Sequence, residues 1–247
     1  MQIKTNPSNQ ETNLRESFLK TYQDSPIPEN EILSNLGLFT NRQLISKILF
    51  LNELYQKIIH THGVIMEFGV RWGQNLSLFH SFRGIYEPFN HNRKIIGFDT
   101  FSGFPSVHEK DGNDPIIMEN AFSVTEGYED YLDTVLKYHQ QESPIPHMKK
   151  YELVKGDASK TIHEYLKNNP ETIIAFAYFD FDIYEPTYEC LKAVLPHLTK
   201  GSILAFDELN CPAFPGETLA VKELLGLNNL EIQRSPLTPR ESYIVFK

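Results

Sequence analysis

The chain begins polar and acquires a hydrophobic rhythm in stages. Residues 1–13 show no periodic apolar signal and are predicted to fray. A short amphipathic helix is predicted over 14–22, stopped by Ser25-Pro26-Ile27-Pro28. Thr40-Asn41-Arg42-Gln43 reads as a capping box. The helix it opens places Leu44, Ile48, Leu51, Tyr55 and Ile58 on one face and ends at His60-Thr61-His62-Gly63. His60 and His62 are read as polar residues at a helix C-terminus rather than as a metal pair.

From Val64 onward, apolar runs of strand length alternate with segments of helical period. Residues 64–68, 94–99, 151–155, 172–179 and 202–206 read as parallel strands. The fourth is apolar almost without interruption, as a central strand covered on both faces must be. A helix over 73–82 turns Leu76, Phe79 and Phe82 inward, and one after Gly156-Asp157-Ala158-Ser159 packs Ile162, Tyr165 and Leu166. Pro186 suits the first turn of a helix that packs Leu191, Val194, Leu195 and Leu198 and stops at Gly201. A last helix over 218–225 precedes strands 230–234 and 242–246, joined by a loop short enough for an antiparallel hairpin. The one long interruption is 106–150, polar apart from a helix over 128–139, and a connection of that length is usually a lid or a substrate loop. The expectation is a doubly wound α/β domain over 63–247 with a mostly parallel seven-stranded sheet, a C-terminal antiparallel hairpin and an N-terminal helical extension over 1–62.

Composition narrows the partners more than the fold. At 247 residues, 40% hydrophobic and 22% charged, the chain suits one sizeable globular domain. A net charge of -9 argues against nucleic acid or an anionic membrane as the main partner, since both need a basic surface. Cys190 and Cys211 form no C-x-x-C, so neither a disulfide framework nor a structural zinc site is expected. Residues 1–14 hold no apolar signal core, and no apolar run is long enough to span a bilayer. A cytoplasmic protein is the expectation.

The chemistry lies in where the acids fall. Glu67, Asp99, Asp157, Asp180, Asp207 and Glu208 all stand at or just past the C-terminal ends of the expected parallel strands. In an open α/β sheet those ends share one edge, and ligands bind in the crevice outside it. After the first strand comes Glu67-Phe68-Gly69-Val70-Arg71-Trp72-Gly73, in which glycines allow a ligand close to the backbone. The spacing is not the G-x-G-x-x-G of a dinucleotide site, and Glu67 would repel a phosphate. A ligand with a positive charge and an amino group fits better, and S-adenosylmethionine is one. Asp99 ends the second strand, where a carboxylate accepts hydrogen bonds from the ribose hydroxyls. Asp180, Asp207 and Glu208 sit on adjacent central strands and could converge on a hard divalent ion such as Mg²⁺, which would acidify a bound hydroxyl.

With these residues in place the chain resembles the macrocin O-methyltransferase family of metal-dependent S-adenosylmethionine enzymes. The matching motifs are Met66-Glu67-Phe68-Gly69-Val70, Gly97-Phe98-Asp99-Thr100-Phe101-Ser102-Gly103-Phe104-Pro105, Asp180-Phe181-Asp182-Ile183-Tyr184-Glu185-Pro186-Thr187 and Phe206-Asp207-Glu208. Arg71-Trp72-Gly73-Gln74-Asn75 and the Asn41-Arg42-Gln43 helix make it similar to members that methylate sugars in enediyne pathways. The resemblance implies the methyltransferase variant of the α/β fold, with Glu67 and Gly69 on the methionine part of the cofactor and Asp99 on the ribose. It further implies Asp157 and Ala158 near the adenine, and Asp180 and Asp207 as metal ligands, Asp180 also bordering the cofactor. Glu208 stands where the family usually has a second Asp. Asp207-Glu208 with Cys211-Pro212 is more distantly similar to the metal loop of catechol O-methyltransferases, but Ile183 and Tyr184 stand where those enzymes carry a catalytic lysine.

The expected reaction is Mg²⁺-assisted methyl transfer to a hydroxyl of a sugar or glycosylated small molecule. Asp182 is the first candidate base or an acid supporting the metal, and His108 in the lid is the second. A non-catalytic or hydroxylase-like relative of the same fold is the alternative. An NAD-dependent oxidoreductase is weighed against by the missing glycine fingerprint. A homodimer through the apolar face of 44–59 is possible, and burial of that face against the chain's own sheet is the simpler reading.

Overall fold

The structure is a computed structural model that describes residues 8–247. Ser8 and Glu11 close a reciprocal capping box, so helix α1 (Asn9–Gln23) starts inside the stretch expected to fray; residues 1–7 lie outside the described residues. None of its residues is buried. A short helix α2 (Glu29–Ile32) and a 3₁₀ turn, Leu33–Leu38, lead to α3 (Arg42–Ile58). The cap of α3 is Asn41, whose side chain accepts from Leu44 N–H at 2.8 Å. Thr40, the residue read as opening the capping box, instead turns its hydroxyl back to the Gly37 carbonyl at 2.8 Å.

Then follow β1 (Val64–Phe68), α4 (Gln74–Tyr86), β2 (Ile95–Asp99), α5 (Tyr128–Glu142), β3 (Tyr151–Lys155), α6 (Ala158–Asn168), β4 (Ile174–Phe179) and α7 (Tyr184–Val194). The chain closes with β5 (Leu198–Phe206), α8 (Pro215–Leu225), β6 (Gln233–Arg234) and β7 (Ser242–Val245). The seven strands lie in the order β3-β2-β1-β4-β5-β7-β6, parallel from β3 through β5 and antiparallel at β7 and β6. This is the expected doubly wound sheet with its C-terminal hairpin.

Alternation along each strand builds two cores. Ile65, Phe176, Tyr178 and Ile203 face α3, α4 and α5, where Leu51, Tyr55, Phe79 and Leu136 meet them. Met66, Phe68, Ala177 and Phe179 face α6, α7 and α8, against Ile162, Leu191, Val194 and Val221. The apolar face of α3 is therefore spent on the chain's own sheet. All of β4 is buried, as its unbroken apolar run requires.

The main departure from expectation follows α7. The helix ends at Val194 and a 3₁₀ turn, Leu195–His197, precedes a strand that already includes Leu198 and Gly201. Pro196 is the cause: it has no N–H for the helical ladder, so the ladder stops although Leu195 before it still holds helical backbone at φ -50°, ψ -45°. Gly201 is not a helix stop; it takes φ +89° inside β5, where a Cβ would come within 2.9 Å of the Thr61 hydroxyl.

Candidate active site

The C-terminal ends of β1, β2, β4 and β5 open into a cavity of about 840 Å³. β1 carries Glu67 behind the cavity wall, 1% exposed, with one carboxylate oxygen accepting at 2.9 Å from Nδ2 of Asn75, which lines the cavity, and the other buried without a partner. Burial first, and then the charge of Asp180, pushes its pKa well above the ordinary value. Gly69 follows at φ +90°, and a Cβ there would fall 2.0 Å from the Asp180 carbonyl oxygen. Only glycine lets β1 turn this close to β4.

Asp99, at the end of β2, accepts from the Arg71 N–H at 2.8 Å and the Phe101 N–H at 2.6 Å. Those two residues hold left-handed backbone, φ 48° and 56°, so the carboxylate braces two strained loops at once. Burial raises its pKa against these hydrogen bonds. Each oxygen keeps a further lone pair for a ligand hydroxyl. Asp157 caps α6, accepting from Ser159 N–H at 3.1 Å, and Ala158 opens the helix beside it; both line the cavity. Burial raises the Asp157 pKa, but Lys160 and Ser159 outweigh it and hold the group below the ordinary value.

Past β4 and β5 the acids sort differently from the sequence assignment. One carboxylate oxygen each from Asp182, Asp207 and Glu208 lies within 4.8 Å of the others. Asp180 is not in that trio; it faces Lys47 Nζ at 4.0 Å. A tight turn explains the exchange. The Ile183 N–H reaches back to the Phe181 carbonyl at 2.7 Å and Asp182 takes φ 64°, which turns its carboxylate onto the rim. Burial, then Asp180, raises the pKa of Asp182 and Asp207 well above the carboxylate range; Arg240 and Arg71 oppose this at Asp182, and Lys47 at Asp207. Asp207 Oδ1 and Glu208 Oε2 are buried with no partner, while Glu208 Oε1 accepts from Arg240. Converging carboxylates with orphaned oxygens fit a hard divalent cation such as Mg²⁺.

His108 is not among the residues lining the cavity. Its Nδ1 accepts from Lys110 N–H at 3.1 Å, capping a 3₁₀ turn, Glu109–Asp111, and its ring lies 5.0 Å from that of Tyr184. One ring nitrogen is thus used by its own turn, and the structure does not bring the imidazole to the cavity wall.

Several contributors escaped the sequence reading. Lys47, from α3, donates to Tyr178 Oη at 2.6 Å and pairs with Glu241 at 3.6 Å, drawing the N-terminal helices to the rim. Arg240, from the loop before β7, neutralises Glu208 from the opposite end of the chain. Glu217 on α8 is fully buried and accepts from the Glu208 N–H at 2.8 Å. It lies one residue before the helix expected over 218–225, so only its apolar neighbours Leu219, Ala220 and Val221 hint at burial.

Against known structures, the chain superposes on the crystal structure of the calicheamicin methyltransferase CalS11 with TM-score 0.95 and 43% identity, covering 98% of this chain and 94% of that one. The apo structure of CalS11, described as the TDP-rhamnose 3'-O-methyltransferase of calicheamicin biosynthesis, matches with TM-score 0.86 and 40% identity over 98% and 96%. The O-methyltransferase NovP shares the fold at TM-score 0.62 and 17% identity, over 82% of this chain and 80% of that one. No protein-family model and no curated protein sequence matches the chain.

Proposed function

The chain belongs to the S-adenosylmethionine-dependent sugar O-methyltransferase family of CalS11, and from that premise we propose that its acceptor is a sugar carried on a nucleoside diphosphate. The observation that carries the reading is the meeting of two acid groups at one cavity: Asp99 and Asp157 on one wall, with Glu67 buried behind Asn75 beside them, and Asp182, Asp207 and Glu208 on the other. The first group suits an α-ammonium, a ribose and an adenine held in line. The second suits an acceptor hydroxyl that must lose a proton.

Glu67 supplies the charge that meets the methionine ammonium, and Gly69 gives the backbone approach beside it. Asp99 holds the ribose while bracing the Arg71 and Phe101 turns, which fixes the cofactor's register against the sheet. Asp182, Asp207 and Glu208 would hold Mg²⁺, which when bound lowers the pKa of an acceptor hydroxyl. Asp182 would give such an ion one oxygen and keep the other to take the hydroxyl proton. The acceptor oxygen then forms its bond to the methyl carbon as the methyl–sulfur bond breaks and the sulfur keeps the pair. Alignment of the two partners supplies much of the rate.

The test is methyl transfer from S-adenosylmethionine to TDP-rhamnose, run beside calorimetric titration with S-adenosylhomocysteine and with NADH. Transfer together with thioether binding that Asp99→Ala abolishes supports the reading. Binding of NADH instead, or binding of the thioether with no transfer to any nucleoside diphosphate sugar, overturns it.

A further inference from the structure

The cations of the cavity are unevenly committed. Among the basic side chains on its wall, Lys47 is engaged with Asp180, Glu241 and Tyr178, and Arg240 with Glu208. Arg71 and Arg15 also line the cavity, and neither forms an ion pair among the described residues. A free arginine on a wall so rich in carboxylates needs a reason.

Arg71 is held in place from both ends. Its backbone is left-handed at φ 48°, fixed by the N–H on Asp99, and its guanidinium lies over the Phe122 ring at 5.1 Å. Its Nε is buried with no partner. Stacking leaves the edge of the guanidinium available, and that fork matches planar or tetrahedral oxyanions. Arg71 also lies close enough to Asp182 to favour its ionised form, so an anion held there sits beside the acceptor chemistry. Arg15 arrives differently. It stands on α1, a helix that buries none of its residues, yet Arg15 and Glu11 reach the cavity. Phe18 and Tyr22, further along α1, pack their rings on Phe39 at 6.2 and 4.8 Å, which anchors the helix and leaves charged side chains of its first turns at the mouth. A diphosphate could not enter past Asp180, Asp182, Asp207 and Glu208 unless cations met it.

We propose that Arg71, with Arg15 from α1, takes the diphosphate of the acceptor and thereby sets the preference for a sugar nucleotide over a free sugar. The inference rests on the sugar-nucleotide reading above. It makes Arg71 and Arg15 specificity-determining residues and α1 a wall of the acceptor subsite.

The test is calorimetric titration of the full chain with thymidine diphosphate and with thymidine. The wild-type protein is expected to prefer the diphosphate by roughly 10- to 100-fold, the range of one or two charge-assisted hydrogen bonds, with the preference shrinking as salt rises. Arg71→Gln should erase most of that preference, Arg71→Lys should keep part of it, and Arg15→Gln should reduce it. S-adenosylhomocysteine affinity should hold in all three, since Asp99 meets only the Arg71 backbone. Arg15 is exposed, so its substitution reads the contact without disturbing a core. A wild-type protein that binds thymidine diphosphate no better than thymidine overturns the proposal, as does a preference that survives both glutamine variants. Failure of the underlying reading is separate: it shows as absence of methyl transfer to TDP-rhamnose.

Discussion

Glu67 shows how one residue trades stability for binding. Its carboxyl is buried, hydrogen-bonded to Asn75 through one oxygen only, and raised in pKa by burial and by Asp180. A carboxyl raised in the folded state contributes stability that is complete below its ordinary pKa and lost as pH climbs through the raised value. Glu67→Gln removes that loss. Without ligand, the variant should melt higher than the wild type at neutral and alkaline pH, at roughly 2–4 °C per kcal/mol recovered in a chain of this size. The gap should close as pH falls toward 4.5, the ordinary glutamate value. The same change leaves no charge for the methionine ammonium, so S-adenosylhomocysteine affinity should fall by about 10- to 100-fold. Differential scanning across pH and one titration check both halves; a variant melting lower at every pH would show that the Asn75 contact outweighs the buried charge. In the wild type, ionising Glu67 against an ammonium releases a proton. The binding heat should therefore vary with the ionisation enthalpy of the buffer, and this dependence should vanish in Glu67→Gln.

Among the elements, α7 is the one that ties the insertion over 106–150 to the acid rim. Its N-cap residue, Ile183, has no side chain to offer the first free N–H. Asp111 does so from the insertion over 106–150, accepting from Tyr184 N–H at 2.5 Å with one oxygen and from His108 N–H at 2.7 Å with the other. Gly216 makes room, since a Cβ there would lie 2.4 Å from that same Asp111 oxygen. Asp111→Ala strands two N–H groups, one of them buried, and should cost about 1–3 kcal/mol, a melting point lower by roughly 2–12 °C. Since α7 begins two residues after Asp182, turnover should fall more than S-adenosylhomocysteine affinity, and Asp111→Asn should recover part of both. This cap was invisible in the sequence because its partners are 73 residues apart. The strands were legible for the opposite reason: β1 and β3 have the expected bounds because an apolar run between turn residues carries its limits locally. The end of α7 was misread where Pro196 overruled a continuing helical period of Val194, Leu195 and Leu198.

At the scale of the whole molecule, a rim of acids follows from topology, because parallel strands in the order β2-β1-β4-β5 present their C-terminal ends along one edge. That much could be read before any coordinates. Which aspartate joins Asp207 and Glu208 could not, because it depends on a single left-handed residue that exchanges Asp180 for Asp182. Nor could the compensation of the rim from both ends of the chain, Lys47 from α3 and Arg240 from beside β7. These compensators decide what a cation can add. Asp182 and Asp207 repel each other and Asp180, and only Glu208 has an arginine of its own. A divalent ion bound by the folded state alone should raise the melting point by mass action, about 2.7 kcal/mol of stability at 100 times its dissociation constant. Mg²⁺ should therefore stabilise the wild-type chain, and chelation should lower both that stability and methyl transfer. Asp182→Asn should abolish the Mg²⁺ response while leaving S-adenosylhomocysteine binding to Glu67 and Asp99. Asp180→Asn should keep the response, since Asp180 stands against Lys47 rather than in the trio. If Mg²⁺ moves neither melting nor turnover, the charge of the rim is compensated by Lys47 and Arg240 alone, and Asp182 takes the acceptor's proton without an ion beside it.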